Sequence, residues 1–234
     1  MILVEKVLVC WSGGKDSALA LHEIQRAGCY EVVSLLTTVT EDYDRISMHG
    51  VRRCLLEQQA ASLGLPLEVV FIPKDCSNDV YESRMREALL WMKSQGVSAV
   101  VFGDIFLEDL RQYREANLAR IGLKALFPLW KQNTVDVAYQ FISLGFKAVT
   151  TCVDNHCLDR SFVGQFFDDK FLSQLPSSAD PCGENGEFHT FVFDGPIFQR
   201  PIIFSIGKVV LRDNRFYYSD LVPPLPVGRE PLHL

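Results

Sequence analysis

The chain has 234 residues, of which 48% are hydrophobic and 22% charged. That balance excludes a disordered chain, because there is enough apolar surface to offset the entropy cost of folding. A net charge of -6 argues against broad nucleic-acid binding, since phosphate backbones repel an acidic surface.

No apolar run approaches the roughly 20 residues that cross a bilayer. The first residues, Met1 to Lys6, carry no basic stretch ahead of their apolar part, so a cytoplasmic location away from membranes is expected. The length suits one large or two small domains.

The pattern begins with a short apolar strand, 6–11, that stops at Ser12-Gly13-Gly14-Lys15-Asp16-Ser17. A helix over 18–28 follows, with Gly28 as its stop signal. A nearly continuous apolar strand, 31–38, is of the kind buried on both faces of a parallel sheet. Helix 51–63, strand 67–72, helix 79–94 (capped by Ser77 or Asn78), strand 99–102, helix 110–121 and strand 125–127 continue the alternation. This spacing predicts an α/β fold with a doubly wound parallel sheet.

Past residue 130 the rhythm changes. Helix 134–144 and strand 147–151 lead into a loop-rich part with strands over 188–193 and 201–210, then an extended tail from Pro223. We therefore expect domains 1–130 and 131–234, the second a smaller α+β unit. Trp91, Trp130 and the phenylalanines read as core. Seven cysteines lie scattered without a CxxC pair and read as free thiols. Cys152 and Cys157 around His156 lack the partner ligands of a zinc site.

The segment Ser12 to Ser17 sits where α/β sheets bind ligands. Two glycines allow a tight turn that gathers N–H groups, and the helix N-terminus adds a field favourable to an anion. Lys15 supplies a point charge, and Ser12 and Ser17 supply hydroxyls. Asp16 is expected to cap the helix or to hold Mg2+. The GxxxxGK[ST] spacing of a Walker A loop is absent. Ser12 to Ser17 instead resembles the PP-loop of ATP pyrophosphatases, a HUP-type fold that binds adenine nucleotides.

Further runs extend the resemblance. They are Val101-Phe102-Gly103-Asp104-Ile105 with Arg111, Tyr113, Arg114 and Glu115, then Phe127-Pro128-Leu129-Trp130, then Asp180 through Phe191 with Asp194-Gly195-Pro196-Ile197-Phe198. Together these resemble the diphthine–ammonia ligase family over nearly the whole chain. The resemblance implies cleavage of ATP to AMP and pyrophosphate, with adenylation of a carboxylate or carbonyl that is then displaced by ammonia or an amine. It implies that Gly13, Gly14 and Lys15 hold the leaving pyrophosphate, with Mg2+ bridging it. By position, Thr37 and Thr38 receive adenine, the absent side chain of Gly103 makes room for the nucleotide, and Asp104 holds Mg2+ or the ribose.

Glu184 and Glu187 bracket Asn185-Gly186 in a glycine-flanked turn. Both carboxylates are expected to face one pocket as base, ammonia anchor or metal ligands, with Asn185, Gly186 and His189 on the substrate side. His49 is weighed as a substrate-side residue in a polar lid. Where eukaryotic and archaeal members carry Gly-Glu-Gly-Gly-Glu and then Glu-Thr, this chain has Asn185 and His189, the pattern of bacterial relatives. Bacteria do not make diphthamide, so the ATP chemistry is expected to transfer and the acceptor, small molecule or protein, is left open. So is a homodimer. The alternatives are a PP-loop RNA-modifying enzyme and a nucleotide-binding sensor of universal-stress-protein type. The missing CxxC weighs against the first, and the intact Lys15-Asp16-Ser17 against the second.

Overall fold

The computed structural model describes residues 4–224. In chain order its elements are β1 (Glu5–Cys10), α1 (Lys15–Ala27), β2 (Tyr30–Thr40), β3 (Arg45–Ile46), α2 (Arg53–Leu63), β4 (Leu67–Ile72), α3 (Asn78–Ser94) and β5 (Ala99–Val101). There follow α4 (Glu108–Ala119), β6 (Lys124–Leu126), α5 (Thr134–Ser143), β7 (Lys147–Asp154), a 3-10 turn (Arg160–Phe162), α6 (Asp169–Gln174), β8 (Phe188–Asp194), β9 (Ser205–Arg212) and β10 (Phe216–Val222).

Five strands form a parallel sheet in the order β4-β2-β1-β5-β6. The short β3 pairs antiparallel with the end of β2. Because β1 is central, its neighbours follow different crossovers, and the strand order reverses between β1 and β5. A crevice at the carboxyl ends is expected at such a reversal, and the Ser12–Ser17 loop occupies it. The fold class is thus the HUP-type α/β sheet read from the sequence, with a second, antiparallel sheet in the order β8-β7-β10-β9.

Val7, Leu8 and Val9 are at most 1% exposed, which is why β1 reads as an uninterrupted apolar run. One cluster joins β1 and α1 to Phe141 of α5 and to Phe188 and Phe191 of β8. Each such burial contributes about 1.5–3 kcal/mol, so the two sheets share a core across α1. A separate cluster lies between the parallel sheet and α3 and α4, around Leu8, Val100 and Leu118.

Several expectations need correction. The strand placed at Pro201 begins at Ser205, and β3 and β10 were not anticipated. The two residues of β3 carry no period, and Ser219 and Asp220 break the apolar pattern of β10. Trp91 is 59% exposed on α3 and is not core. Trp130 is half-buried under the Arg111 guanidinium, 4.6 Å from the ring centroid. Of the tail, Pro223 and Pro224 have no regular structure, and the remainder lies outside the described residues. Among those residues no helix is long and apolar enough to cross a membrane.

Candidate active site

The loop after β1 is shaped by residues distant in sequence. Gly13 adopts φ +75, and a Cβ there would stand 2.7 Å from Gln59 Oε1. Glycine meets both demands, as an L side chain at positive φ does not. Gln59, fully buried on α2, accepts from Trp11 Nε1 at 2.8 Å and donates to the carbonyls of Gly13 (3.0 Å) and Val192 (2.6 Å). It thereby ties the loop to β8. The Val192 amide donates to the Gly13 carbonyl from the same strand.

Gly14, not Asp16, is the N-cap of α1, and it makes no side-chain cap bond. Its amide donates to Ser12 Oγ (3.2 Å), the Lys15 amide donates to Thr190 Oγ1 (3.0 Å), and Ser17 Oγ donates back to the Gly14 carbonyl (2.9 Å). The first donors of the helix are thus satisfied by short polar side chains, one of them on β8.

Lys15 is buried, with Nζ 2.9 and 2.8 Å from the two Asp16 carboxylate oxygens. It also donates to the Cys182 carbonyl. Burial works against its charge, and Asp16, with Cys182 and Glu184 beyond it, more than restores it, so Lys15 remains an ammonium.

A cavity of about 130 Å³ opens beside this pair. Ser12, Lys15, Asp16, His49, Gly183, Glu184, Gly186, Phe188, His189 and Thr190 line it. Glu184 Oε1 accepts from the amides of Ile105 (2.7 Å) and Phe106 (3.3 Å) in the loop after β5. Burial nonetheless pushes its carboxyl up to about 7, the range of a general base at neutral pH. The His49 and His189 rings pack at 4.4 Å. Burial lowers the His49 pKa to about 4 and the His189 pKa well below its usual value, so both are neutral. His49 Nδ1 lies 3.2 Å from the Thr190 carbonyl. A carbonyl only accepts, so Nδ1 carries the proton and Nε2 is left with a lone pair.

Other residues go elsewhere. Glu187 is 4% exposed and does not share this cavity. Its Oε1 accepts from the Asp180 amide (2.9 Å) and Asn185 Nδ2 (3.1 Å), and its Oε2 from the Asn185 amide (3.1 Å). The expectation that both carboxylates face one pocket fails because the second closes its own loop. Asn185 is exposed and serves that brace.

Asp104 is paired with Arg114, Nε to Oδ2 at 2.7 Å and Nη2 to Oδ1 at 3.1 Å, and that guanidinium rests 4.4 Å from the Phe102 ring centroid. A Cβ on Gly103 would stand 2.7 Å from the Asp16 backbone carbon. The space it leaves is therefore filled by the first turn of α1. Thr37 and Thr38 lie within β2, which runs on to Thr40 instead of ending beside them, and Thr37 is buried. Cys152 is buried and its thiol is pushed up to about 12, whereas Cys157 is exposed. Among the described residues no three His, Cys, Asp or Glu side chains are grouped to hold a metal.

A larger cleft of about 750 Å³ lies at the carboxyl ends of β2 and β4, walled on the far side by β9 and β10. Met48 lines it, and the next residue, His49, lines the small cavity. The 47–50 loop is therefore a partition between the two. It is held from beneath by Asp220 of β10, which takes Arg45 at 2.9 Å and Arg52 at 2.7 Å. Sequence reading missed Gln59, Thr190 and Asp220. For Gln59 there was a signal, a polar residue on the apolar face Leu55-Leu56-Ala60-Leu63 of a helix.

Residues 5–125 match the family model described as diphthamide synthase N-terminal domain, and residues 133–218 the model for its C-terminal domain. Among curated proteins, the diphthine–ammonia ligase of Bos taurus is 25% identical, covering 94% of this chain and 95% of that protein. That of Homo sapiens is 26% identical over 88% of this chain and 85% of its own length. The Schizosaccharomyces pombe protein of the same name is 29% identical over 88% of this chain, which spans 37% of that longer protein. Built on the matching sheet, loop and C-terminal segments, this chain belongs to the diphthamide synthase family.

Proposed function

We propose that the protein is an ATP-dependent ligase that cleaves ATP to AMP and pyrophosphate and forms an amide from a carboxylate and ammonia or an amine. The observation that carries this reading is a buried lysine at a glycine-turned helix N-terminus, opening on a cavity that also holds a carboxylate poised near neutrality.

The 750 Å³ cleft has the size of a nucleotide site and the 130 Å³ cavity does not. We place base and ribose in the first and the departing pyrophosphate at Ser12–Ser17. There the Lys15 ammonium and the α1 amides stabilise charge on the leaving oxygens. The carboxylate oxygen of the acceptor attacks the α-phosphorus, and the amine then displaces AMP from the acyl carbon. Glu184 takes the proton that the amine loses. Both carboxylates are paired, Asp16 with Lys15 and Asp104 with Arg114. Of the two only Asp16 lines the cavity, so Asp16 would be the one to meet a Mg2+ carried in with the phosphates, which would have to draw it from Lys15.

Residues 1–130 would hold the phosphates, β9 and β10 of residues 131–234 would wall the base and ribose, and the rest of 131–234 would take the acceptor, with Thr190 reaching back to the Ser12–Ser17 loop and Glu184 to the loop after β5. Incubation with ATP labelled at the α-phosphate, ammonium and a panel of carboxylates tests this. Labelled AMP is expected. Labelled ADP, or ATP that binds and stays intact, would overturn it.

A further inference from the structure

Two glycines in succession let the Ser12–Ser17 loop turn tightly, and they also leave one of its peptides underdetermined. The Gly13–Gly14 unit has no Cβ on either side, so turning its plane over meets little steric resistance. Which way it faces matters. A carbonyl directed at the cavity would repel phosphate oxygens, whereas the N–H on the opposite edge of a trans peptide would receive them.

A buried side chain fixes the choice. The Gly13 carbonyl accepts from Gln59 Nε2 at 3.0 Å and from the Val192 amide at 2.8 Å. With the carbonyl held there, the Gly14 amide lies on the other edge, 3.2 Å from Ser12 Oγ, a group that lines the 130 Å³ cavity. Gln59 uses both Nε2 hydrogens in this, the second going to the Val192 carbonyl at 2.6 Å, while its Oε1 accepts from Trp11 Nε1 at 2.8 Å. It therefore holds the Gly13 carbonyl directly and also keeps Val192, the second donor, in place. Only a carboxamide combines an acceptor with two donors in one such group. An ionised glutamate here would meet two carbonyls with no hydrogen to give. Ser62, further along α2, makes a separate tie by accepting from the Arg200 amide at 3.1 Å, and this tie does not touch the loop.

We propose that Gln59 is a positioning residue for the phosphate site: it holds the Gly13 carbonyl back and so aims the Gly14 N–H at the anion. The inference rests on the ligase reading only in taking Ser12–Ser17 as the phosphate loop.

The full chain, labelled with 15N, would be titrated with inorganic pyrophosphate and followed by calorimetry and by the Gly14 amide resonance. In the unchanged protein that resonance is expected to move with binding. Gln59→Met, close in length but unable to donate, and Gln59→Glu, which keeps the partner of Trp11, should each bind pyrophosphate tenfold or more weaker. Their Gly14 resonance should no longer follow the titration. Ser62→Ala breaks the other tie of α2 and should bind pyrophosphate within twofold of the unchanged protein, which a merely structural role for Gln59 would not predict. All are compared at a temperature where circular dichroism shows them folded. A Gly14 resonance unmoved at saturating pyrophosphate would overturn the proposal whatever the variants do. So would pyrophosphate affinity within twofold in both Gln59 variants, or an equal loss in Ser62→Ala. If pyrophosphate binds as expected but no carboxylate yields AMP, the positioning role stands and the ligase reading falls. AMP formation with an unmoved Gly14 resonance has the opposite meaning.

Discussion

Two glycine-turned loops meet in this molecule, Ser12–Ser17 and Asp180–Glu187, and they use their charges in opposite ways. In the first, both charged side chains, Lys15 and Asp16, turn to the same cavity and to each other. In the second, the two glutamates part company: Glu184 reaches across to the amides after β5, and Glu187 folds back on its own loop. Chemical similarity and a spacing of three residues say nothing about where a carboxylate will go. The supply of unsatisfied N–H groups does. Glu187 finds three N–H donors within its own turn, so its oxygens are satisfied locally and it becomes a brace. Glu184 finds two from another element and keeps an oxygen towards the cavity.

The largest expected effect separates the two glutamates. Glu184→Gln should lower turnover by about 10²–10⁴-fold, the usual contribution of one acid–base group, with a melting temperature close to that of the unchanged protein. Because burial holds Glu184 at about 7 and the base must be deprotonated, kcat should rise with pH through that value and level off above it. An amide at this position should abolish that rise. A pH profile identical in the variant would remove Glu184 from the chemistry.

Glu187→Ala should do the reverse. It leaves the Asp180 amide without its acceptor, and the two Asn185 donors, which solvent reaches, free to bond water. A hydrogen bond to a charged group contributes roughly 1.5–3 kcal/mol net. A net destabilisation of that size by denaturant unfolding is expected. ATP affinity should be preserved at temperatures where the variant is folded. Normal stability with lost ATP binding would return Glu187 to the site.

Lys15→Ala sharpens the other half of the comparison. Losing one charge-assisted contact to the leaving phosphates should weaken ATP binding by about 10–100-fold, or roughly 1.5–3 kcal/mol, and stop AMP formation. An ATP affinity within twofold of the original would sink the phosphate role.

How much of this was legible in the sequence follows the same division. The parallel sheet and its loop could be read because their determinants are local: an apolar run, two glycines, a lysine and a helix. Their neighbours were not legible in the same way. Gly103 reads as a gap for a ligand, yet the gap is filled by the backbone of Asp16. Asp104 reads as a metal ligand until Arg114, two turns into α4, is seen to hold it. Thr190 and Gln59 are separated from the loop by 175 and 46 residues, and no local pattern marks a hydroxyl that caps a distant helix. His49 and His189 were weighed singly, whereas their packing at 4.4 Å makes them a pair.

The smallest effect tests the point where the two loops' surroundings touch. Thr190 Oγ1 accepts from the Lys15 amide at 3.0 Å, at the helix end where an anion would be received. If phosphate oxygen and hydroxyl compete for that donor, ATP must displace the hydroxyl on binding. Thr190→Val keeps the shape and removes the acceptor. The free protein should then lose about 1 kcal/mol of stability, the net value of one neutral hydrogen bond, because the amide is left unpaired. The ATP complex loses nothing at that amide, since phosphate satisfies it. The destabilisation of the free state therefore appears as tighter binding, by roughly fivefold for 1 kcal/mol, measurable by calorimetry at a temperature where both proteins are folded. Weaker ATP binding in the variant would mean that the hydroxyl and the phosphate act together, with Thr190 donating its own proton to the nucleotide while the amide serves both. The cap would then be part of the phosphate site instead of a placeholder for it.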